Sequence, residues 1–219
     1  MSDFKPTPEQ IAAQLRQPFG EFGIAMGDEM NKGNDLISKR TYNHLNLNDG
    51  ERLLEIGMGN GYFIPHLLSM AANLHYTGLD YSTTMVEAAT EKNRALIAQQ
   101  QVKILEGNVT SMPFEDNSFD KICTVNTLYF WPTPAADASE LLRVLKPGGK
   151  IVLGIRPKSI LENMEIAKTG FVHYSPEEAV DLLKAGGFRE VDFSIQEEPQ
   201  KEFNGHVYNL EGCYVTGTK

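Results

Sequence analysis

The sequence predicts an α/β protein with a seven-stranded, mostly parallel sheet that ends in an antiparallel hairpin. Three observations predict it. A short branched run, Arg52–Ile56, leads into glycines at alternate positions, Gly57, Gly59 and Gly61, and then into a helical pattern. Short apolar runs of strand length then alternate with helical stripes as far as Ile155, as parallel βαβ units require. The last two strand-like runs lack a helix-length connection, so they pair antiparallel.

At 219 residues and 41% hydrophobic content the chain suits one α/β domain with a short appendage. No apolar run approaches the ~20 residues of a membrane helix, so no span is expected. Met1–Pro6 carries no apolar signal region, and the cytoplasm is the expected compartment. Cys123 and Cys213 match neither a disulfide scaffold nor a metal-ligand spacing. Cys123 lies in an apolar run and reads as a buried small hydrophobe. The net charge is −9, and basic residues cluster no further than pairs such as Lys39-Arg40. That counts against a nucleic-acid partner.

Residues 1–50 read as an N-terminal helical cap segment ahead of a domain at 51–219. Pro8–Gln17 can form a helix with Ile11, Ala12 and Leu15 on one side. Pro18–Gly27, with a proline and three glycines, reads as a break in regular structure. Asn34 is the expected N-cap of a following helix that carries Leu36, Ile37 and Leu45. The segment is either plain packing or a mobile cover over a ligand, using Phe19, Phe22, Met26 and Met30; glycine-rich apolar loops serve both purposes.

After the first strand, Phe63–Ala72 carries a helical stripe of Ile64, Leu67 and Leu68, with Pro65 tolerated in the first turn. His75–Leu79 is a second strand ending in Asp80. Ser82 caps a helix whose apolar face is Met85, Ala88, Ala89 and Leu96. Val102–Leu105 is a third strand, running into Glu106-Gly107-Asn108-Val109. Phe119–Val125 is a fourth, ending in Asn126–Pro132. A helix at Ala135–Leu145 and a turn at Lys146–Gly149 lead to a fifth strand, Lys150–Ile155. Arg156–Tyr174 reads as a loop with one short helix. Ser175–Glu178 is a capping box with proline at the first helical position, and its helix stops at Gly186-Gly187. The final strands lie near Glu190–Gln196 and His206–Thr216.

The glycine loop at the carboxyl end of the first strand describes a nucleotide-type cofactor site. It departs from the dinucleotide pattern, because Tyr62 stands where that pattern wants its third glycine. Glu55, inside the strand, is costly to bury alone. It meets either a cationic ligand group or a nearby basic residue. Asp80 can accept both hydroxyls of a ribose, or serve as an acid favoured at a helix start.

Four blocks, Leu53–Gly61, Gly78–Met85, Glu106–Phe114 with Phe119–Asp120, and Leu141–Ile155 with its Val-Leu-Lys-Pro-Gly-Gly turn, occur in an order and spacing that resembles the class I S-adenosylmethionine (SAM) dependent methyltransferases. The branch is similar to ubiquinone and menaquinone biosynthesis and small-molecule methyltransferases. The resemblance implies a three-layer Rossmann-like methyltransferase fold, with SAM as cofactor and S-adenosylhomocysteine as product. It implies that Gly57, Gly59 and Gly61 line the methionine part of SAM and that Glu55 receives its amino group. Asp80 would bind the ribose, with Tyr81 and Met85 flanking the adenine. Asn108 stands beside Val109 where this branch usually has Asp, and its amide can still accept from the adenine amino group. Asn126 would face the methionine and sulfonium.

The resemblance implies a small-molecule acceptor. The fourth strand ends in Asn126-Thr127-Leu128-Tyr129 rather than the Asn/Asp-Pro-Pro-Tyr of amino-directed nucleic-acid and protein methyltransferases. If the acceptor needs a base, His173 and Tyr174 are the places to look, and Tyr129 can orient the nucleophile. The other histidines, His44, His66, His75 and His206, have less claim. Phe130 and Trp131 wall either the acceptor or the core edge. No metal is implied, and the sequence sets no oligomeric state. Two other readings stand beside this one. One is a SAM-binding regulatory or partner protein without transferase activity. The other is an NAD-dependent oxidoreductase, weakened by Tyr62 and the C-terminal hairpin.

Overall fold

The computed structural model describes residues 6–203 and 206–219, with side chains for 6–200 and 209–219. The signal-region reading of Met1–Lys5 and the side chain of His206 lie outside the described residues. Helix α1 (Pro8–Arg16) starts with a capping box. Gln10 N donates to Thr7 Oγ1 at 3.3 Å, Thr7 N donates to Gln10 Oε1 at 2.9 Å, and Pro8 sits in the first turn.

Helix α2 (Gly20–Leu45) is a single helix of 26 residues. It replaces most of the expected break at 18–27, of which Pro18 and Phe19 stay outside the helix, and the expected N-cap at Asn34, which lies at mid-helix. The reason is tertiary. A Cβ on Gly27 would come within 3.1 Å of Met85 Sδ, so the bare backbone lets α2 close on the helix carrying Met85. That packing offsets the roughly 1 kcal/mol by which an interior glycine disfavours a helix.

Strand β1 (Arg52–Ile56), helix α3 (Ile64–Leu68) and strand β2 (His75–Asp80) form the first βαβ unit. The helix is shorter than the predicted Phe63–Ala72. Ser82 Oγ caps α4 (Thr83–Lys92) by accepting from Met85 N at 3.2 Å. The single helix expected there is split in two. At Asn93 the side chain donates to Gly61 O and Ala89 O, and α5 (Arg94–Ala98) follows. Next come β3 (Val102–Glu106), β4 (Phe119–Val125), a 3₁₀ turn at Leu128–Phe130 and α6 (Pro134–Val144). Strand β5 (Leu145–Ile155) starts earlier than predicted, because Leu145 pairs with Phe119 before a register shift. The 156–174 stretch holds α7 (Lys158–Leu161) and a 3₁₀ turn at Glu165–Ala167. The predicted Ser175 capping box starts α8 (Pro176–Ala185).

The C-terminal strands are β6 (Arg189–Glu197), β7 (Lys201–Phe203), β8 (His206–Tyr208) and β9 (Glu211–Thr218). The predicted strand His206–Thr216 thus divides: β8 pairs with β7 in a small ribbon, and β9 joins the main sheet. Among the described residues that sheet has seven strands in the order β3-β2-β1-β4-β5-β9-β6. Neighbours from β3 to β5 are parallel, and β9 is antiparallel to both β5 and β6. The chain winds outward from β1 to β3, then returns to β4 on β1's other side, so the β1/β4 boundary is a topological switch point.

Side chains alternate between the two faces with period two. Leu53, Cys123 and Val152 pack with Tyr42, Ile64 and Leu67, whereas Leu54, Ile122 and Leu153 pack with Leu141, Val144 and Leu183. Helices therefore cover both faces, giving three layers. Among the described residues no helix is long and apolar enough to cross a membrane.

Candidate active site

The carboxyl ends of β1, β2 and β4 open into one cavity of about 320 Å³, a size suited to a small ligand. Glu55 lines it while only 5% exposed. Its Oε1 accepts from Tyr42 OH at 2.8 Å and its Oε2 from Tyr76 OH at 2.6 Å. Neither donor is a basic residue. Burial raises the Glu55 pKa, the two phenol bonds pull it back down, and the Asp80 charge pushes it up further.

Asp80 also lines the cavity and is 7% exposed. Its Oδ2 accepts from Gly59 N and its Oδ1 from Ser82 N, each at 2.9 Å. Burial raises its pKa, against the lowering effect of these backbone bonds. Each oxygen retains capacity for a further donor. Gly57 (φ 71°) lies in the left-handed region, and a Cβ there would fall 2.3 Å from Thr127 Cγ2. Only glycine lets the ends of β1 and β4 approach so closely. At Gly59 a Cβ would meet nothing within 4 Å, so the space over this backbone belongs to the cavity. Gly61 does not line the cavity: it lies against α4, where its carbonyl accepts from Asn93 Nδ2 at 3.1 Å.

Tyr81, Met85, Asn108 and Val109 line the side of the cavity nearest β2 and β3. The Tyr81 hydroxyl donates to Arg16 O, fastening the end of α1 beside them. Asn108 Oδ1 accepts from Thr110 N at 3.0 Å. On the β4 side, Asn126 takes a left-handed conformation (φ 55°), and its side chain is held at both ends. Its Nδ2 donates to Asn34 Oδ1 at 3.0 Å and its Oδ1 accepts from Tyr129 OH at 2.9 Å. Phe130 and Trp131 both line the cavity.

The positions considered for a base, His173 and Tyr174, and for orienting the nucleophile, Tyr129, lie elsewhere. Tyr129 is buried outside the lining, its hydroxyl accepts from Arg156 N, and burial raises its pKa. His173 Nε2 sits 2.8 Å from Ala167 O, and neither it nor Tyr174 reaches the cavity. Among the described residues no group of three or more His, Cys, Asp or Glu side chains is arranged to hold a metal ion.

Helix α2 supplies a wall that sequence reasoning missed. Gly27, Met30, Asn31, Asn34, Ser38 and Tyr42 recur at helical spacing and face the cavity. Of the four residues expected in a cover, Met30 lines it, whereas Phe19, Phe22 and Met26 do not, and Phe19 is 64% exposed. The three- and four-residue spacing from Gly27 to Tyr42 was the available signal, hidden by reading 18–27 as a break. The wall is also tied to the glycine loop, with Asn31 Nδ2 donating to Asn60 Oδ1 at 3.1 Å and Asn60 Nδ2 to Asp28 Oδ1 at 3.0 Å.

Residues 54–153 match the family described as Methyltransferase domain. The chain is 26% identical over 163 residues to the uncharacterized methyltransferase YdaC of Bacillus subtilis (strain 168), covering 74% of this chain and 85% of that protein. It is 32% identical over 156 residues to the demethylmenaquinone methyltransferase of Staphylococcus aureus (strain MRSA252), covering 69% of this chain and 62% of that one. Among solved structures, a SAM-dependent methyltransferase, TM1293 of Thermotoga maritima, superposes with a TM-score of 0.63 at 24% identity, covering 87% of this chain and 95% of that chain. Apart from YdaC, the curated relatives compared are longer, and the chain spans 47–62% of their length.

Proposed function

We propose that this chain is a class I SAM-dependent methyltransferase that transfers the methyl group of SAM to a small-molecule acceptor by in-line displacement. The observation that carries this reading is the pair of buried carboxylates, Glu55 and Asp80, at the ends of adjacent strands in one cavity. Two unneutralised carboxylates beside an open glycine backbone suit a ligand with a cationic amino-acid end and a ribose. When bound, SAM supplies a methyl carbon activated by its sulfonium and leaves as S-adenosylhomocysteine.

The chain's own residues bind, orient and exclude water. Glu55 would take the ammonium, and the free capacity of Asp80 would take the ribose hydroxyls. Gly57 and Gly59 would let the methionine part lie against the backbone. Tyr81, Met85, Asn108 and Val109 would enclose the adenine, and Asn126 would face the sulfonium. Phe130 and Trp131, beyond Asn126, would wall the acceptor. An aromatic face there contributes about 0.5–2 kcal/mol toward a sulfonium. Alignment and desolvation supply most of what such a displacement needs. In this reading residues 1–50 cap the domain at 51–219, the protein is cytoplasmic, and nucleic acid is not its substrate. The relatives named demethylmenaquinone methyltransferase support a small-molecule acceptor.

Calorimetric titration with SAM, S-adenosylhomocysteine and NAD tests this. Micromolar binding of the first two, greatly weakened in Asp80→Ala with the fold intact, is the expected result. Binding of NAD alone, or an unchanged Asp80→Ala affinity, overturns it. SAM binding without turnover of any acceptor would favour the regulatory reading.

A further inference from the structure

Glu55 meets its two donors from either side of it along the chain: Tyr42 comes from α2 and Tyr76 from β2. Tyr42 is fully buried, with its ring edge-on to Phe63 at 6.3 Å, and Tyr76 is 2% exposed. Each hydroxyl takes a different carboxylate oxygen, so together they fix the rotation of the group. Burial pushes both phenols well above their ordinary range, which keeps them protonated donors. The other titratable groups near Glu55 are Asp80, whose charge opposes ionisation, and Cys123, its register partner on β4. The Cys123 thiol is also pushed well up by burial and stays neutral.

Desolvation favours the protonated acid, and so does the Asp80 charge. Hydrogen bonds donated to the carboxylate favour the ionised one, and such charge-assisted bonds are among the stronger kind. An ammonium is held only by the ionised form. We propose that Tyr42 and Tyr76 are positioning residues that keep Glu55 ionised and oriented toward the amino group of the cofactor, so that α2 is a working part of the cofactor site. This rests on the SAM reading of the cavity. The tyrosines act through Glu55 and touch no reacting atom.

S-adenosylhomocysteine and 5′-methylthioadenosine separate this role from a merely structural one. Both are adenosyl thioethers, and only the first carries the amino-acid end. Their affinities are measured by calorimetry between pH 6 and 9 for the wild type, Tyr42→Phe and Tyr76→Phe. In Tyr42→Phe, S-adenosylhomocysteine should weaken about tenfold, with methylthioadenosine changed by less than about twofold. The loss of S-adenosylhomocysteine affinity on acidification should also begin at a higher pH than in the wild type. Should Tyr42→Phe fail to fold by circular dichroism, Tyr76→Phe carries the same expectation. Parallel weakening of both ligands, or an unmoved pH profile, overturns the inference while leaving the SAM reading intact. A wild type that binds neither ligand removes that reading and this inference with it.

Discussion

Asn126 Nδ2 donates to Asn34 Oδ1 at 3.0 Å, tying the end of β4 to the middle of α2 across the cavity. With the Asn31–Asn60 bond, it holds α2 to the strand ends on both sides of the switch point. Truncating Asn34 to Ala should cost about 0.5–1.5 kcal/mol and quicken backbone amide exchange along α2. Hydrogen-exchange mass spectrometry reads this directly. Unchanged protection over residues 27–42 would mean that core packing alone seats the helix.

Glu55 gives a pH prediction whose sign is opposite to that of most carboxylates. Its pKa is raised in the folded protein, so the native state binds more protons than the unfolded chain over the window between the ordinary carboxylate value and the raised one. Stability of the ligand-free protein therefore falls as pH rises through that window. Glu55→Gln removes this penalty. It should raise the ligand-free melting temperature at pH 7–8. The gain should vanish at low pH, and SAM affinity should drop. A variant less stable than wild type at pH 8 would contradict the sign.

Gly57 should not tolerate a side chain. Gly57→Ala combines a left-handed backbone with a Cβ 2.3 Å from Thr127 Cγ2. The backbone conformation alone costs about 1–2 kcal/mol, and the clash adds to it. Thr127→Ser removes the clashing methyl and should recover the second part but not the first. Urea unfolding of the two singles and the double separates them. Full additivity would mean that β4 simply shifts away.

Arg156 and Glu198 form a two-pronged ion pair at 2.6 and 3.0 Å, with side chains 8% and 0% exposed. It anchors the segment after β6 to the end of β5. Glu198→Gln strands a buried guanidinium and should cost about 3–5 kcal/mol. Replacing both partners, Arg156→Met with Glu198→Leu, should recover most of that loss. Equal loss in single and double variants would show that the stranded guanidinium is not the source of the loss.

Much of this architecture is written locally. The five parallel strands declare themselves as short branched runs, and their period-two alternation between faces follows from strand geometry. The glycine loop and Asp80 are legible because a chain turning from strand to helix needs particular residues at particular offsets. The capping box at Ser175 is legible for the same reason: its bonds span three residues. What distance along the chain conceals is different. The glycines of α2 read as breakers, because their cost to a helix is local and their benefit, close approach to Met85, is not.

The site divides in the same way. The sequence alone determined that an acid would lie inside β1 beside a glycine loop, because both are consecutive in the chain. Only the tertiary structure decided that two tyrosines, 13 and 21 residues away, supply its hydrogen bonds. It also set Gly61 under α4, Tyr129 and His173 away from the cavity, and one face of α2 across its mouth. Side-chain partners are chosen by what the folded sheet brings within hydrogen-bonding distance, and no periodicity of the chain encodes that choice.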